Sequence, residues 1–443
     1  MKHRFAMAGA TCVLLLPWAI QAGDWPQWRG PNRDGVAQET GLLKAWPKEG
    51  PPLRWVYANA GMGYSGPAVV GDRLILMGAR EGAEVVLALE LTPRASAKTV
   101  QELWSTKIGP VFTWKGNDWN AGPSATPTVD GELLYALGGQ GQLLCVETAT
   151  GKERWRKDLP TDLGAEVNPV GGGPPKLGWG FTWSPLVDGD RLICVPGGPQ
   201  GTLAALDKKT GQVLWRSKEL TDLASYSSPI VIEVGGVRQY VQLTNEGVSG
   251  VAAKDGTLLW RYLKKPAYGD VVIPTPIFHE GLVYVTAGYG AGCDLIKLTP
   301  AGSKFKAEKV YANKVMSNQQ GGVVLAGEHL YGYSEGKGWI CQNFKIGTMV
   351  WSEKRALGRG SITVADGQLY CYSEDDGIMV LADASPAGWK QRGRFEIPQH
   401  SQVRKTNGKI WTHPVIAGGR LYLRDQELLF CYDLKGPASS SGQ

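Results

Sequence analysis

Residues 205–215 read Ala-Leu-Asp-Lys-Lys-Thr-Gly-Gln-Val-Leu-Trp, a stretch that predicts two short strands joined by a tight turn. Apolar residues alternate on both sides of Thr210-Gly211, which is the period of a half-buried strand. Gly211 supplies the positive φ that a short hairpin turn requires. The second strand ends in an indole, Trp215. The stretch therefore predicts a β-hairpin with a bulky aromatic residue at one end.

The hairpin pattern returns along the chain. Related stretches lead from Cys145 to Trp155, from Gly250 to Trp260 and from Cys341 to Trp351. Each repeat opens with a small residue or Pro, a short apolar run and a Gly- or Asp-containing turn. The eight instances begin at Gly66, Thr126, Ser184, Ser228, Thr275, Gly322, Ser361 and His413. A spacing of roughly 40 to 60 residues is typical of propeller blades, each with four strands, A to D.

The eighth repeat ends before its fourth strand. Leu53–Tyr57 has the same form as the D strand of another repeat, Leu258–Tyr262, and can supply the missing strand. Joining the first and last repeats in this way removes two open sheet edges. We therefore predict an all-β fold, a single eight-bladed β-propeller over residues 23–436, with residues 53–57 completing the last blade. The repeated tryptophans are predicted to dock between blades: Trp55, Trp155, Trp215, Trp260 and Trp351.

The two ends of the chain differ in composition from the repeats. Residues 1–22 combine a basic start with an apolar run and end in Ala22, which predicts a secretory signal peptide. We therefore expect a periplasmic or secreted protein that is soluble after cleavage. Residues 437–443 are polar and predict a flexible tail.

Composition excludes some classes of function. A net charge of +6 without a basic cluster argues against nucleic-acid binding, and no other segment is long enough to span a membrane. We expect a monomer. Most of the six cysteines after the signal lie in apolar runs, which favours small buried residues over disulfides. Cys341 with Cys371 is the pair to examine first for a disulfide.

The stretch Ala205 to Trp215 resembles the tryptophan-docking repeat of the pyrroloquinoline-quinone (PQQ) enzyme family. Residues 24–35 resemble the mature N-terminus of exported bacterial PQQ-like propeller proteins, and residues 227–231 and 411–425 are similar to their strands. The resemblance covers nearly the whole mature chain. It implies the propeller fold, and either dehydrogenase activity or a non-enzymatic scaffold role.

The family's dehydrogenases commonly carry adjacent cysteines under the quinone, and this chain has no Cys-Cys pair. Related exported proteins often show His-His where Gln319-Gln320 stands here. The resemblance therefore implies a binding or interaction scaffold without redox activity, like the propeller of the outer-membrane protein assembly machinery. The alternative is a PQQ- and calcium-dependent alcohol dehydrogenase.

The connections between strands separate two faces of the predicted ring. The A–B and C–D turns are uniform and form what we call the turn face. The D–A and B–C connections vary and form the loop face, where a rigid scaffold usually carries function. Two D–A loops, residues 107–124 and 158–182, are long and rich in aromatic residues. We expect a small molecule or a protein partner to bind there.

Candidate site residues on the loop face follow from the chemistry that a quinone site needs. An aromatic plane, a clamp for carboxylates and polar contacts are predicted from Trp183, Gln319, Gln320, Arg359, Trp411, His413 and Arg424. Asp425 or Glu246 is the candidate catalytic carboxylate, because a dehydrogenase needs a base close to the substrate hydroxyl. Asn245 and Glu246 are the candidate calcium ligands.

Overall fold

The computed structural model describes residues 23–91, 100–119, 121–169, 173–265, 267–269 and 271–436, and these residues form eight sheets. Two strands precede the first blade, β1 (Val36–Ala37) and β2 (Leu53–Tyr57). Blade 1 contains β3 (Ala68–Val70), β4 (Arg73–Arg80), β5 (Ala83–Glu90) and β6 (Gln101–Pro110). Blade 2 contains β7 (Thr128–Asp130), β8 (Leu133–Leu137), β9 (Gln142–Glu147) and β10 (Glu153–Asp158), and a short helix α1 (Leu159–Leu163) follows it.

The next three blades repeat this order. Blade 3 contains β11 (Leu186–Asp188), β12 (Arg191–Cys194), β13 (Ala204–Asp207) and β14 (Val213–Arg216). Blade 4 contains β15 (Ile230–Val234), β16 (Val237–Leu243), β17 (Gly247–Ala252) and β18 (Leu258–Leu263). Blade 5 contains β19 (Ile277–His279), β20 (Leu282–Ala287), β21 (Gly292–Ala301) and β22 (Lys304–Asn313).

The last three blades complete the ring. Blade 6 contains β23 (Val323–Ala326), β24 (His329–Ser334), β25 (Gly338–Asn343) and β26 (Met349–Glu353). Blade 7 contains β27 (Gly360–Ala365), β28 (Gln368–Ser373), β29 (Ile378–Asp383) and β30 (Gln391–Glu396). Blade 8 contains β31 (Val415–Ala417), β32 (Arg420–Asp425) and β33 (Leu428–Asp433) together with β2. The predicted eight-bladed propeller is confirmed.

An N-terminal strand closes the ring, as predicted. β2 pairs antiparallel with β33, with Leu53 opposite Tyr432 and Tyr57 opposite Leu429. The first strands of neighbouring blades contact one another, β3 with β7, β7 with β11, β23 with β27 and β27 with β31. The A strands therefore surround the central axis, and the D strands form the outer edge.

Three of the five predicted docking indoles, Trp155, Trp215 and Trp351, contact the next blade. The Trp155 Nε1 in blade 2 donates a hydrogen bond of 3.0 Å to the Lys208 carbonyl in blade 3, and the Trp351 Nε1 in blade 6 donates to the Ser385 carbonyl at 2.9 Å. A Cβ atom on Gly211 would lie 2.9 Å from the Trp155 ring, so this turn needs glycine both for its φ of 73° and for the close approach. Trp215 lies against Gly256 of blade 4. Trp55 and Trp260 are buried, and the Trp260 Nε1 donates to Gln239 Oε1 of its own blade at 2.7 Å.

Residues 23–39, which we call the N-terminal plug, fill the centre of the ring. The plug enters at the turn face, where the Gly23 carbonyl accepts from Gly418 N at 3.1 Å. It reverses direction at residues 29–35 and returns as β1, which pairs parallel with β27. Its hydrogen bonds reach the inner strands of seven blades, or residues close to the ends of those strands, through Val69, Val129, Ser184, Thr275, Val323, Val364 and Gly418. The sequence pattern did not predict this segment's position.

The remaining predictions concern the cysteines, the two ends of the chain and membrane-spanning segments. The six cysteines of the described part of the chain are buried and free, including Cys341 and Cys371. The predicted signal peptide and tail lie outside the described residues. Among the described residues, no helix has the length and apolar character needed to cross a bilayer.

Candidate functional site

A pocket of ≈ 340 Å³ lies at the centre of the loop face. All eight D–A loops contribute to its lining, because in a closed ring every such loop ends next to the axis. The lining consists of Trp28, Tyr64, Phe112, Trp119, Gly122, Ser124, Trp179, Thr182, Tyr226, Ser228, Val271, Ile273, Tyr289, Gln319, Gln320, Arg359 and Trp411. Trp28 belongs to the N-terminal plug, and its Nε1 donates to Thr275 Oγ1 at 2.9 Å. The plug therefore forms the floor of the pocket.

Aromatic rings form one wall in a continuous run. The Tyr64 and Trp411 ring centroids are 4.9 Å apart, and Trp411 stacks on Trp119 at 5.2 Å with 26° between the ring planes. Trp119 meets Trp179 edge-on at 5.6 Å. The main-chain nitrogen of Trp179 donates to the Tyr226 hydroxyl at 3.1 Å, which fixes this end of the wall. The wall thus joins rings from four different loops and offers apolar aromatic surface to a ligand.

The polar part of the lining adjoins this wall at Trp411 and is organised by Glu374, which is 2% exposed. Its carboxylate accepts from Arg359 Nε at 2.6 Å, from Gln320 Nε2 at 2.8 Å and from the Trp411 Nε1 at 3.1 Å. Arg359 also donates through Nη1 to the Gln319 Oε1. This network holds four lining side chains in place. It also pairs the charge of Arg359 with a buried carboxylate.

A second acidic residue extends this network into blade 6. The Gln319 Nε2 donates to Glu335, whose other oxygen accepts from Gly290 N and from Ser317 Oγ, both at 3.1 Å. Glu335 and Glu374 are each the last residue of the same short sequence, Tyr-Ser-Glu, at residues 333–335 and 372–374. Sequence analysis missed Glu374, although this repeat at the end of two B strands was a signal for it.

His413 lies beneath the pocket. Its ring meets Trp28 edge-on with centroids 4.8 Å apart, and Nε2 lies 2.9 Å from the Gln320 carbonyl. Burial, with a contribution from the charge of Arg29, lowers the pKa of His413 to about 3. The imidazole is therefore neutral at physiological pH and packs as part of the support under Trp28 and Gln320.

The structure places the predicted site residues in three groups. Gln319, Gln320, Arg359 and Trp411 line the pocket together. Trp183 is fully buried in the core cluster that spans blades 1 to 4 and is not part of the lining. Asn245 and Glu246 occupy the B–C turn of blade 4, where Asn245 Nδ2 contacts Asn168 Oδ1 at 3.3 Å and Glu246 is exposed.

Arg424 and Asp425 were expected on a B–C loop but belong to β32 and are buried. Arg424 donates to the carbonyls of Gly61, Ser65, Met77 and Gln426 at 2.6 to 2.8 Å, which ties blade 8 to blade 1. Asp425 accepts from Ser401 N at 2.9 Å and from Arg404. Both side chains are thus engaged in holding the ring junction and the neighbouring loop.

Three long D–A loops border the pocket, one more than predicted. The additional loop connects β30 to β31 over residues 397–414. It lies against the loop of residues 111–119, where Lys405 Nζ donates to the Asn117 carbonyl at 2.8 Å and Asn407 N to the Asp118 carbonyl at 3.1 Å. In the other predicted loop, residues 159–163 form α1, with Asp158 as its N-cap. The bonds of Lys405 and Asn407 thus hold two of the three loops together beside the pocket.

Comparisons with known proteins agree with this architecture. The family model described as outer membrane protein assembly factor BamB matches residues 94–353, more than half of the chain. The BamB of Alkalilimnicola ehrlichii is 27% identical over 200 residues, 45% of this chain and 43% of that protein. Quinohemoprotein alcohol dehydrogenase ADH IIB of Pseudomonas putida is 30% identical over 168 residues, 35% of this chain and 22% of that protein. The chain thus matches less than half the length of each of these relatives.

Solved structures support the fold. The crystal structure of BamB from Moraxella catarrhalis superposes with a TM-score of 0.54 at 14% identity, covering 84% of this chain and 95% of that one. The computationally designed Ika8 protein gives 0.56 at 10% identity, with 86% and 99% coverage. These identities speak for the propeller architecture alone. The family model, by contrast, matches more than half of the chain. The chain therefore belongs to the outer membrane protein assembly factor BamB family of PQQ-like propellers.

Proposed function

We propose that the chain is an exported propeller that binds a small molecule or a protein partner at its loop face and has no redox activity. The lining of the central pocket supports this best. Its aromatic wall offers surface for binding, while its charged residue, Arg359, is held by Glu374. Both oxygens of that carboxylate accept hydrogen bonds from protein donors, so its position is fixed as a structural acceptor rather than a free base.

The residues present do not fit PQQ with its calcium ion. Calcium takes several oxygen ligands, among them carboxylates, and of the described residues that line the pocket none is Asp or Glu. The candidate ligands Asn245 and Glu246 lie outside the lining. PQQ itself carries several carboxylates, which would need cations beyond the single paired Arg359.

Reconstitution with PQQ and Ca²⁺ tests the proposal. We expect no dye-linked oxidation of short alcohols and no stoichiometric uptake of the quinone, followed by its absorbance after gel filtration. Turnover that depends on added PQQ and is lost in Glu246→Gln or Asp425→Asn would instead establish the alternative, a PQQ- and calcium-dependent alcohol dehydrogenase. In that variant pair, Asp425→Asn is assessed only if its thermal melt stays close to that of the parent protein, because Asp425 is buried.

The family match favours a second candidate, a docking role in outer membrane protein assembly like that named for the relatives. Expression of this chain in a BamB-deficient bacterium tests it. Recovery of outer membrane protein levels would support docking. Unchanged levels, with the chain folded and exported, would count against it.

A further inference from the structure

From the chemistry of the pocket we infer that it binds a neutral carbohydrate. This inference rests on the proposed binding function and names its ligand class. A sugar ring has an apolar C–H face and a rim of hydroxyl groups. It therefore needs a flat aromatic surface together with side chains that donate and accept hydrogen bonds.

The aromatic surface is present on two sides. Trp119 and Trp411 stack with 26° between their planes, and Tyr64 and Trp179 extend the wall at both ends. Trp28 lies below as the floor. A ligand that enters along the axis therefore meets indole surface beneath it and beside it, and burying an apolar face against these rings provides the main attraction.

The charge balance of the lining selects a neutral ligand. Arg359 is the one described lining residue that is ionised at neutral pH, and Glu374 compensates its charge at 2.6 Å. An anion would need a cation that is not already paired. A cation would gain from the rings but would lie close to the guanidinium. Neither class suits the pocket as well as an uncharged molecule.

The polar groups of the lining match hydroxyl recognition. Gln320 donates through Nε2 to Glu374, which fixes its amide with Oε1 as the remaining acceptor. Ser124, Thr182 and Ser228 also line the pocket. The Thr182 hydroxyl donates to the Tyr226 carbonyl at 3.3 Å and can still accept, while the Ser228 hydroxyl accepts from Ser184 N at 3.0 Å and can still donate. A hydroxyl both donates and accepts, so such a mixed lining suits it. The volume of ≈ 340 Å³ falls in the range of small-ligand sites, roughly 300–1,000 Å³, and suits one or two rings of a longer saccharide whose remaining ring lies outside the pocket.

Tryptophan fluorescence of the full mature chain reports binding, because four lining indoles, Trp28, Trp119, Trp179 and Trp411, would sense the ligand. Maltotriose, cellotriose and tri-N-acetylchitotriose are the neutral probes, and benzoate and choline are the charged ones. We expect saturable quenching by at least one trisaccharide. Trp119→Ala should weaken it roughly tenfold or more, and Gln320→Ala should weaken it as well. Tyr311→Phe, which removes a hydrogen bond to the Phe344 carbonyl between blades 5 and 6, is the control outside the pocket and should bind normally.

The outcomes separate this inference from the function on which it rests. Saturation by benzoate or choline and by none of the sugars would overturn carbohydrate recognition while a binding function remains. Carbohydrate recognition would also be overturned if no probe gave saturable quenching. The same holds if Trp119→Ala, with a normal melting temperature, bound the trisaccharide as tightly as the parent protein. Oxidation of alcohols by the PQQ-loaded protein would overturn the proposed function itself.

Discussion

At the scale of single residues, burial decides which side chains do chemistry and which support the structure. His413 and Arg424 are ionisable groups that sequence analysis placed in a cofactor site. In the structure they are enclosed, at 6% and 1% exposure, and hydrogen-bond to the backbone. Arg359, by contrast, faces the pocket while Glu374 holds it from behind. The same residue types thus have different roles because of their surroundings.

His413 makes the stability of the protein depend on pH. Its pKa is about 3 in the folded state, well below the ordinary value, because burial disfavours the charged imidazole. The unfolded chain therefore takes up a proton first as pH falls below about 6.5, and stability is lost progressively from there toward pH 3. Because of this residue, we expect the free energy of unfolding to be about 2 kcal/mol lower at pH 5 than at pH 7.5. Urea unfolding at the two pH values measures the change.

Replacement by glutamine isolates the effect of His413. Gln can still donate to the Gln320 carbonyl but does not titrate. His413→Gln should therefore be less stable at pH 7.5 yet lose less on acidification than the parent protein. Identical pH dependence of the two proteins would show that His413 titrates alike in the folded and unfolded states, and would contradict its lowered pKa.

One docking indole comes from an unexpected part of the chain. The D strands of several blades contain a β-bulge, and the residue after it is Trp215 in blade 3 and Tyr311 in blade 5. In the D strand of blade 7 the same position is Gly393. Trp46 fills this space, with its Cβ only 2.6 Å from where a Cβ of Gly393 would lie. Its ring packs 5.8 Å from Tyr370 and 5.4 Å from Phe395. The segment that follows the plug thus completes the packing of blade 7.

Variants that remove Trp46 or place a tryptophan at Gly393 test whether Trp46 takes the place of the docking residue that blade 7 lacks. Trp46→Ala should cost about 3 to 5 kcal/mol, because it leaves a large cavity. Gly393→Trp alone should also destabilise, since its side chain meets Trp46. The double variant should recover part of the loss, and thermal melts of all four proteins give the coupling. Additive losses would mean that the two positions do not share one space.

At the scale of elements, the junction between the first and last blades depends on more than strand pairing. β2 closes the sheet of blade 8, and Arg424 in β32 joins that sheet to blade 1 through carbonyls on both sides. The guanidinium is buried, which lowers its pKa to about 9 and leaves it charged at neutral pH. Four carbonyl oxygens rely on this single donor group.

Arg424→Met keeps the volume but removes every donor. We expect a loss of about 3 to 5 kcal/mol, because several buried carbonyls then lack partners. Arg420→Met on the same strand is the matched control, since Arg420 is partly exposed and bonds the Leu91 carbonyl at 3.3 Å. It should cost less than about 1 kcal/mol. Denaturant unfolding compares the two, and equal losses would contradict a special role for Arg424.

Prediction from sequence worked best for elements that repeat. The blade starts at Thr126, Ser228 and His413 are visible because apolar alternation and turn residues recur at a regular spacing. The plug has no such periodicity, and its partners are hundreds of residues away, so nothing local indicates its position. For the pocket, Arg359 and Trp411 were predicted from loop position and residue type. Trp28 and Glu374 were missed, because one comes from the plug and the other is hidden behind the lining.

At the scale of the whole molecule, the N-terminal plug and the ring depend on each other. The plug buries Trp25 together with Arg29 and Arg33, whose pKa values fall to about 10 and about 9 through burial. Arg33 donates to the carbonyls of Ser184 and Pro185, and Arg29 to that of Val323. Because Trp28 also forms the floor of the pocket, the site is complete only when the plug is in place.

Deletion of residues 23–39 should therefore affect both stability and binding. We expect a loss of about 5 kcal/mol or more, since a large aromatic residue and many hydrogen bonds leave the centre of the ring. Trp28→Ala should abolish ligand quenching with a smaller loss of stability. Lys254→Ala, at an exposed turn, is the control. Normal binding by a folded deletion variant would contradict the assignment of Trp28 as the floor.

The plug also has a consequence for how the protein folds. Its Gly23 end contacts Gly418, and β2 pairs with β33, so residues made early in synthesis are enclosed by residues made near the end. Until the eighth blade exists, a partly made ring has two open edges and a hollow centre. Contacts of such long sequence separation form slowly. We therefore expect the last and slowest step of folding to be the enclosure of the N-terminal plug by the ring and the pairing of β2 with β33.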